Sequence, residues 1–254
     1  MKKDVPQEFL DEYYQRKEDL KSELESLKEI LLLRLKQRNR MEGTRARITD
    51  SRIKRPAKIW KTAVKRGYSP SKAFKKIIDI IGLRIVCNNL SDAQSVVEML
   101  KHETGLFDNI KVYDMVSNPR EDGYRAIHVR TTTRHFGHGN TEGTPCEIQI
   151  RTLSQDTWGR LSREDIYGKN PPKIISEFTK VLSDQLAAID KHAQLIRDEL
   201  EKPAEKAEDI KDTDSISSQK LALLYKQKYD DDLYEWSLHD WMLNLEEAEV
   251  ETIQ

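Results

Sequence analysis

The sequence predicts a fold of the α/β (α+β) class, at least four strands flanked by long helices. Three observations predict it. Apolar residues recur at helical spacing over 7–40 and again over 172–200, with charges between them. The run KKIIDIIGLRIVC at 75–87 is dense in β-branched residues and bounded by Asn88-Asn89, the pattern of a buried strand. The segments 126–133 and 145–152 alternate apolar and polar side chains with the period of a strand.

In order along the chain, the first helix carries Phe9, Tyr13, Leu20, Leu24, Leu27 and Leu31 on one stripe and ends at Gly43. TRARITDSRIKRP (44–56) reads as a basic linker closed by Pro56. A short helix over 56–66 turns Ile59, Trp60 and Val64 inward, and Gly67 and Pro70 punctuate the chain beyond it. After the strand at 75–87, Ser91 is placed to cap a helix over 92–103. KVYDMV (111–116) reads as a strand, SNPREDG (117–123) as a loop and AIHVRTTT (126–133) as a strand. RHFGHGNTEGT (134–144) is a Gly-rich loop in which His135 and His138 are read as loop residues rather than metal ligands. PCEIQIRT (145–152) is a strand with Cys146, Ile148 and Ile150 against Glu147, Gln149 and Arg151, and a helix starts at Ser154. The second long helix carries Ile175, Phe178, Leu182, Leu186, Ile189, Ile196 and Leu200, and Pro203 marks its end. These elements give a domain over 1–202, followed by a tail over 203–254. In that tail 204–219 is polar and mobile in composition, and 219–248 has the pattern of one or two helices.

Composition narrows the function classes. The chain has 254 residues, 37% hydrophobic and 34% charged. Its apolar runs are short, as at Ile30–Leu33, so no membrane span is expected. MKKDVPQEFLDEYY has no apolar stretch after its lysines and does not read as a signal peptide, which points to the cytoplasm. Cys87 and Cys146, each in an apolar run, read as buried free thiols. The net charge of −1 hides an asymmetry: the tail from Pro203 carries fourteen acids and five lysines, leaving 1–202 at +8. A basic body points to an anionic partner. The acidic tail, with Tyr225, Tyr229, Tyr234, Trp236 and Trp241, is read either as an appendage or oligomer contact, or as a segment that folds over the basic cleft. His239-Asp240 lacks the further ligands of a metal hydrolase.

Two carboxylates carry the chemistry. Asp79 stands inside IIDIIGLRIV, where burial is costly unless the charge is paired or metal-bound, and Gly82 nearby permits close approach. Glu147 shares a strand face with Gln149 and Arg151. Two carboxylates from separate strands suit Mg²⁺, which takes one or two of them together with substrate phosphates. Arg45, Arg47, Arg52, Lys54, Arg55, Lys58, Lys61, Lys65 and Arg66 form a phosphate-clamping run. Neither a Walker A motif nor a kinase glycine loop is present to supply phosphoryl-transfer geometry.

SRIKRP (51–56), DIIGLRIV (79–86), GYRAIH (123–128) and EIQIRT (147–152) resemble, in order and spacing, the synthetase domain of RelA/SpoT-type alarmone synthetases. The long flanking helices resemble those of the small single-domain members. The resemblance implies a nucleotidyltransferase-like mixed sheet and transfer of pyrophosphate from ATP to the 3′-hydroxyl of GDP or GTP. It implies Asp79 and Glu147 as catalytic residues and Mg²⁺ ligands, Glu147 also as a candidate base. On the ATP side it implies Arg52 stacking on adenine and Lys54 near the phosphates, with Lys61, Lys65 and Arg66 alongside. On the acceptor side it implies Tyr124 stacking on the base, His128 near the phosphates, and Gln149, Arg151 and Arg84. Many small members carry a Glu-His pair after the motif tryptophan, Trp158 here; this chain has Ser162-Arg163 and then Glu164. The family also contains toxins that pyrophosphorylate the 3′ end of tRNA and are neutralised by an antitoxin, which is the alternative activity. A homo-oligomer is a further implication, since small members are often tetramers.

Overall fold

The computed structural model describes residues 5–134, 143–166 and 172–201. The chain divides into two compact units, 1–194 and 195–254. In the first, five strands form one sheet in the order β1-β2-β5-β4-β3. The strands are β1 (Ala46–Ile53), β2 (Ile81–Cys87), β3 (Phe107–Asp114), β4 (Ile127–Thr133) and β5 (Pro145–Thr152). The pair β2–β5 is parallel and the other three pairs are antiparallel, so the sheet is mixed as expected. Of the second unit the structure describes 195–201; the sequence readings at His135, His138, His239-Asp240 and the acidic tail lie outside the described residues.

The two faces of the sheet differ in chemistry because side chains alternate. One face presents Ile81, Leu83, Ile85 and Cys87 of β2, Cys146, Ile148 and Ile150 of β5, and Ile127 and Val129 of β4. Leu24, Leu27, Leu31 and Leu35 of helix α1 (Gln7–Glu42) pack in this core with Ala93, Val96, Val97 and Leu100 of helix α4 (Leu90–His102). The N-terminal half of α1 belongs to a second cluster. There Phe9, Tyr13 and Leu20 meet Ile59 and Ala63 of α2 (Pro56–Arg66), Ala73 and Phe74 of α3 (Pro70–Lys76), and Ile77 and Ile80. Phe9 stacks on Phe74 with ring centroids 5.1 Å apart. Both cysteines are buried and free, and burial raises both thiols well above their ordinary range.

Several elements differ from expectation. Residues 46–53 are a strand rather than a linker. As an edge strand, β1 has neighbours on one side only, so it keeps charged residues and gives a weak apolar signal. The expected strand over 75–87 starts at Ile81; a helix with Pro70 in its first turn takes 70–76, and Asp79 falls in the turn between them. Asp79 and Glu147 therefore do not come from two strands. Asn89, not Ser91, caps α4: its side chain accepts the Asp92 amide at 2.9 Å. β3 starts at Phe107, and a bulge between Asp108 and Lys111, with Asn109 at φ 56°, hides its alternation. Helix α5 (Leu153–Leu161) opens with a Thr152/Gln155 capping box, and α6 spans Lys173–Leu200.

Leu27 is fully buried between α1 and the sheet. Leu27→Ala is expected to cost about 2–5 kcal/mol, read as a lower denaturant midpoint at unchanged slope.

Candidate active site

The functional side chains stand on the other face of the sheet, placed there by register. Arg52 pairs with Gly82, Gly82 with Glu147, and Glu147 with Arg130. One step along, Asp50 pairs with Arg84, Arg84 with Gln149, and Gln149 with His128. Gly82 offers no side chain between two charged neighbours, so the Arg52 side chain lies 3.5 Å from where a Cβ would stand. The result is a cleft of about 260 Å³ lined by Asp50, Arg52, Asp79, Gly82, Leu83, Arg84, Glu147 and Gln149.

Lys54 ties one wall of the cleft together. Its amide donates to the Ile80 carbonyl at 2.8 Å, and its ammonium pairs with Asp79 at 2.6 Å. The cost of placing a carboxylate among apolar residues is thus met by an ion pair.

Glu147 is the electrostatic centre. Arg130 Nε donates to Oε2 at 2.9 Å, and Gln149 Nε2 donates to Oε1 at 3.3 Å. His128 Nδ1 stands 3.3 Å from Oε2, within ion-pairing range but off the hydrogen-bonding line. Burial alone would raise this carboxyl; His128 first, then Arg130 and Gln149, outweigh burial and hold it down at about 2. A carboxylate held this firmly ionised is a ligand for cations and a weak base.

Beyond Glu147 a chain of hydrogen bonds leads to Tyr124. Its hydroxyl lies 2.8 Å from His128 Nε2 and accepts from Arg151 Nη2 at 2.9 Å. Arg151 also donates to Gln149 Oε1 at 3.0 Å. The Arg120 guanidinium sits over the Tyr124 ring at 4.8 Å, and that of Arg151 lies 5.3 Å from the same ring. Arg84 and Arg151 both reach Asp156 Oδ1 of α5 at 3.3 Å, and Arg84 lies 3.6 Å from Asp50. Burial and the repulsion of Arg151 lower the Arg84 pKa, against the pull of Asp156 and Asp50.

The structure therefore brings Arg52, Lys54, Asp79, Arg84, Tyr124, His128, Glu147, Gln149 and Arg151 into one connected site. It leaves Lys61, Lys65 and Arg66 exposed on α2, away from the cleft lining. Sequence reasoning missed Arg130, Asp156, Asp50 and Arg120. The alternation of β4 carried a signal for Arg130, two residues from His128 on the same face. Asp156 gave none, since its value lies in arginines distant in sequence. Among the described residues no three His, Cys, Asp or Glu side chains gather into a metal cage.

Residues 51–170 match the family described as the region found in RelA / SpoT proteins. Over these residues, just under half of its length, the chain is similar to RelA / SpoT proteins. Two relatives come from Bacillus subtilis (strain 168). GTP pyrophosphokinase YwaC is 33% identical over 140 residues, 54% of this chain and 64% of YwaC itself. GTP pyrophosphokinase YjbM is 27% identical over 195 residues, 76% of this chain and 89% of YjbM. The fold matches the crystal structure of small alarmone synthetase 1 from Bacillus subtilis bound to its product pppGpp, with TM-score 0.66 and 24% identity, over 76% of this chain and all of that one. This likeness supports the expected fold class, a mixed sheet flanked by long helices.

The Glu147 carboxyl, lowered in the folded state, stabilises the fold above its unfolded pKa, and that contribution fades as pH falls toward 2. The wild type should therefore be more stable than Glu147→Gln at pH 7. That advantage should shrink through pH 4.5 and vanish near 2, as measured by chemical denaturation at each pH.

Proposed function

We propose that this protein transfers the β,γ-pyrophosphate of ATP to the 3′-hydroxyl of GDP or GTP, making (p)ppGpp. The observation that carries the reading is the single cleft shared by Asp79 and Glu147, with cations on one side and the Tyr124–His128–Arg151 chain on the other. The names of the relatives, GTP pyrophosphokinases, support the same reaction class.

In this reading Arg52 stacks on adenine and Lys54 leaves Asp79 to meet ATP phosphates. Lys61, Lys65 and Arg66 add positive charge along α2. Tyr124 receives the guanine base, worth about 1–3 kcal/mol. His128, Gln149, Arg151 and Arg84 hold the acceptor. The 3′ oxygen bonds to the β-phosphorus of ATP as the bond to the α,β-bridging oxygen breaks, and AMP leaves. Such transfers pass through loose transition states that ask mainly for positioning and charge. Glu147 orients the hydroxyl and takes its proton only once the new P–O bond has acidified it.

The donor set suits Mg²⁺: two carboxylates on one cleft, all-oxygen, with space for phosphates. Asp79 and Glu147 would hold it, and its chemistry is charge neutralisation on the transferring phosphates.

A second reading takes the 3′ end of tRNA as acceptor, with an antitoxin as partner. The observation favouring it is the π-helical turn Ser162–Ile166, which puts an exposed Arg163 where the resemblance leads to a Glu-His pair.

The test uses ATP labelled at the β-phosphate with Mg²⁺ and GDP, GTP or deacylated tRNA. Label is expected in the guanine nucleotide; label in tRNA alone establishes the second reading. Asp79→Asn and Glu147→Gln should each lower transfer at least about a hundredfold while circular dichroism stays unchanged.

A further inference from the structure

Helix α6 grips the acceptor half of the site at successive turns. The Thr179 carbonyl accepts Trp158 Nε1 at 3.0 Å, and the Trp158 ring lies 5.8 Å from that of Tyr124. Ser183 Oγ donates to the Gly123 carbonyl at 2.5 Å. Asp184 Oδ1 accepts Arg125 Nη2 at 2.9 Å, while Arg125 Nη1 holds the Val116 carbonyl at 3.2 Å. Asp190 Oδ2 accepts Thr152 Oγ1 at 2.7 Å and Gln155 Nε2 at 3.2 Å, fixing the cap of the helix that carries Asp156.

The two central contacts bracket Tyr124 in sequence. Gly123 and Arg125 are its immediate neighbours, and each is held by one of two consecutive α6 residues. The approach at Gly123 is close. Its φ is +84°, and a Cβ there would stand 2.8 Å from Ser183 Cβ. Ser183 is buried, so loss of its hydroxyl strands a carbonyl away from water. Asp184 is exposed, and its ion pair with Arg125 is correspondingly weaker. None of these contacts involves Arg52, Lys54 or Asp79 among the described residues.

We infer that Ser183 and Asp184 are positioning residues for the acceptor. Through Gly123 and Arg125 they fix the plane of the Tyr124 ring, so α6 sets acceptor affinity separately from ATP affinity. The inference rests on the reading of Tyr124 as the acceptor-stacking residue. Ser183, with the buried contact, carries more of the effect than Asp184.

The test compares wild type, Ser183→Ala, Asp184→Asn and Gly123→Ala, using fluorescent GDP and a fluorescent non-hydrolysable ATP analogue in separate titrations. A parallel measurement tracks hydrogen exchange of amides 120–126 in the ligand-free protein. Ser183→Ala is expected to weaken GDP about tenfold, Asp184→Asn less and Gly123→Ala at least as much as Ser183→Ala, with ATP-analogue affinity unchanged. Exchange should rise at 120–126 and not at 46–54 or 77–82. Unchanged GDP affinity, or equal weakening of both nucleotides with a lowered melting midpoint, overturns the inference. Wild-type protein that binds no GDP defeats the functional reading instead. The exchange data then decide the brace alone: unchanged protection at 120–126 in Ser183→Ala refutes it.

Discussion

A carboxylate in the middle of a β-sheet is tolerated only where its neighbours answer it, and Glu147 on the central strand sets that demand for the whole polar face. On one side register brings Arg130 across from β4; on the other it brings Gly82 of β2. The first supplies charge and the second supplies room. A Cβ at Gly82 would make ordinary van der Waals contact with the Arg52 side chain at 3.5 Å, and only a longer side chain would fill the cleft that Glu147 and Asp79 line. Slipping β5 by one residue would turn Glu147, Gln149 and Arg151 into the oily core and expose Ile148 and Ile150. The apolar face thus locks the register that the polar face needs.

The other end of the face works by a different balance. Arg84 and Arg151 are both buried, and both turn to Asp156, which also pairs with the more exposed Arg160. Positive charge outnumbers negative there, so an anion from solution is well accommodated. Around Glu147 and Asp79 each carboxylate already has a cationic partner in the protein. The cleft therefore presents charge-matched carboxylates at one end and a cationic surplus at the other, which suits a substrate bearing phosphates at a distance from the reacting hydroxyl.

Much of this fold is legible in the chain itself. The helices α1, α2 and α6 and the strands β4 and β5 have long or strongly periodic signals, and periodicity is a local property. The motif residues Asp79, Tyr124, His128, Glu147 and Arg151 converge as their order suggested. What escaped depends on neighbours that sequence does not reveal. β1 looked like a linker because an edge strand needs no second apolar partner. Asp79 looked like a strand residue because Ile77 and Ile80, which serve the α1–α2–α3 cluster, imitate the β2 run beyond them. Arg130 and Asp156 gain meaning only from cross-strand and helix–strand pairings.

The strand order also constrains assembly in time. β5 lies between β2 and β4, yet it comes after the other four strands of this sheet in the sequence. Without β5 the pairings that remain in the sheet are two separate antiparallel ones, β1–β2 and β3–β4. The pairings that close the gap are long-range in sequence and carry the corresponding chain-entropy cost. Glu147 arrives on that last strand, so the two cleft carboxylates meet only when the sheet closes. A nascent or truncated chain lacking β5 has no partly working site, and its exposed strand edges make it a candidate for aggregation rather than for slow catalysis.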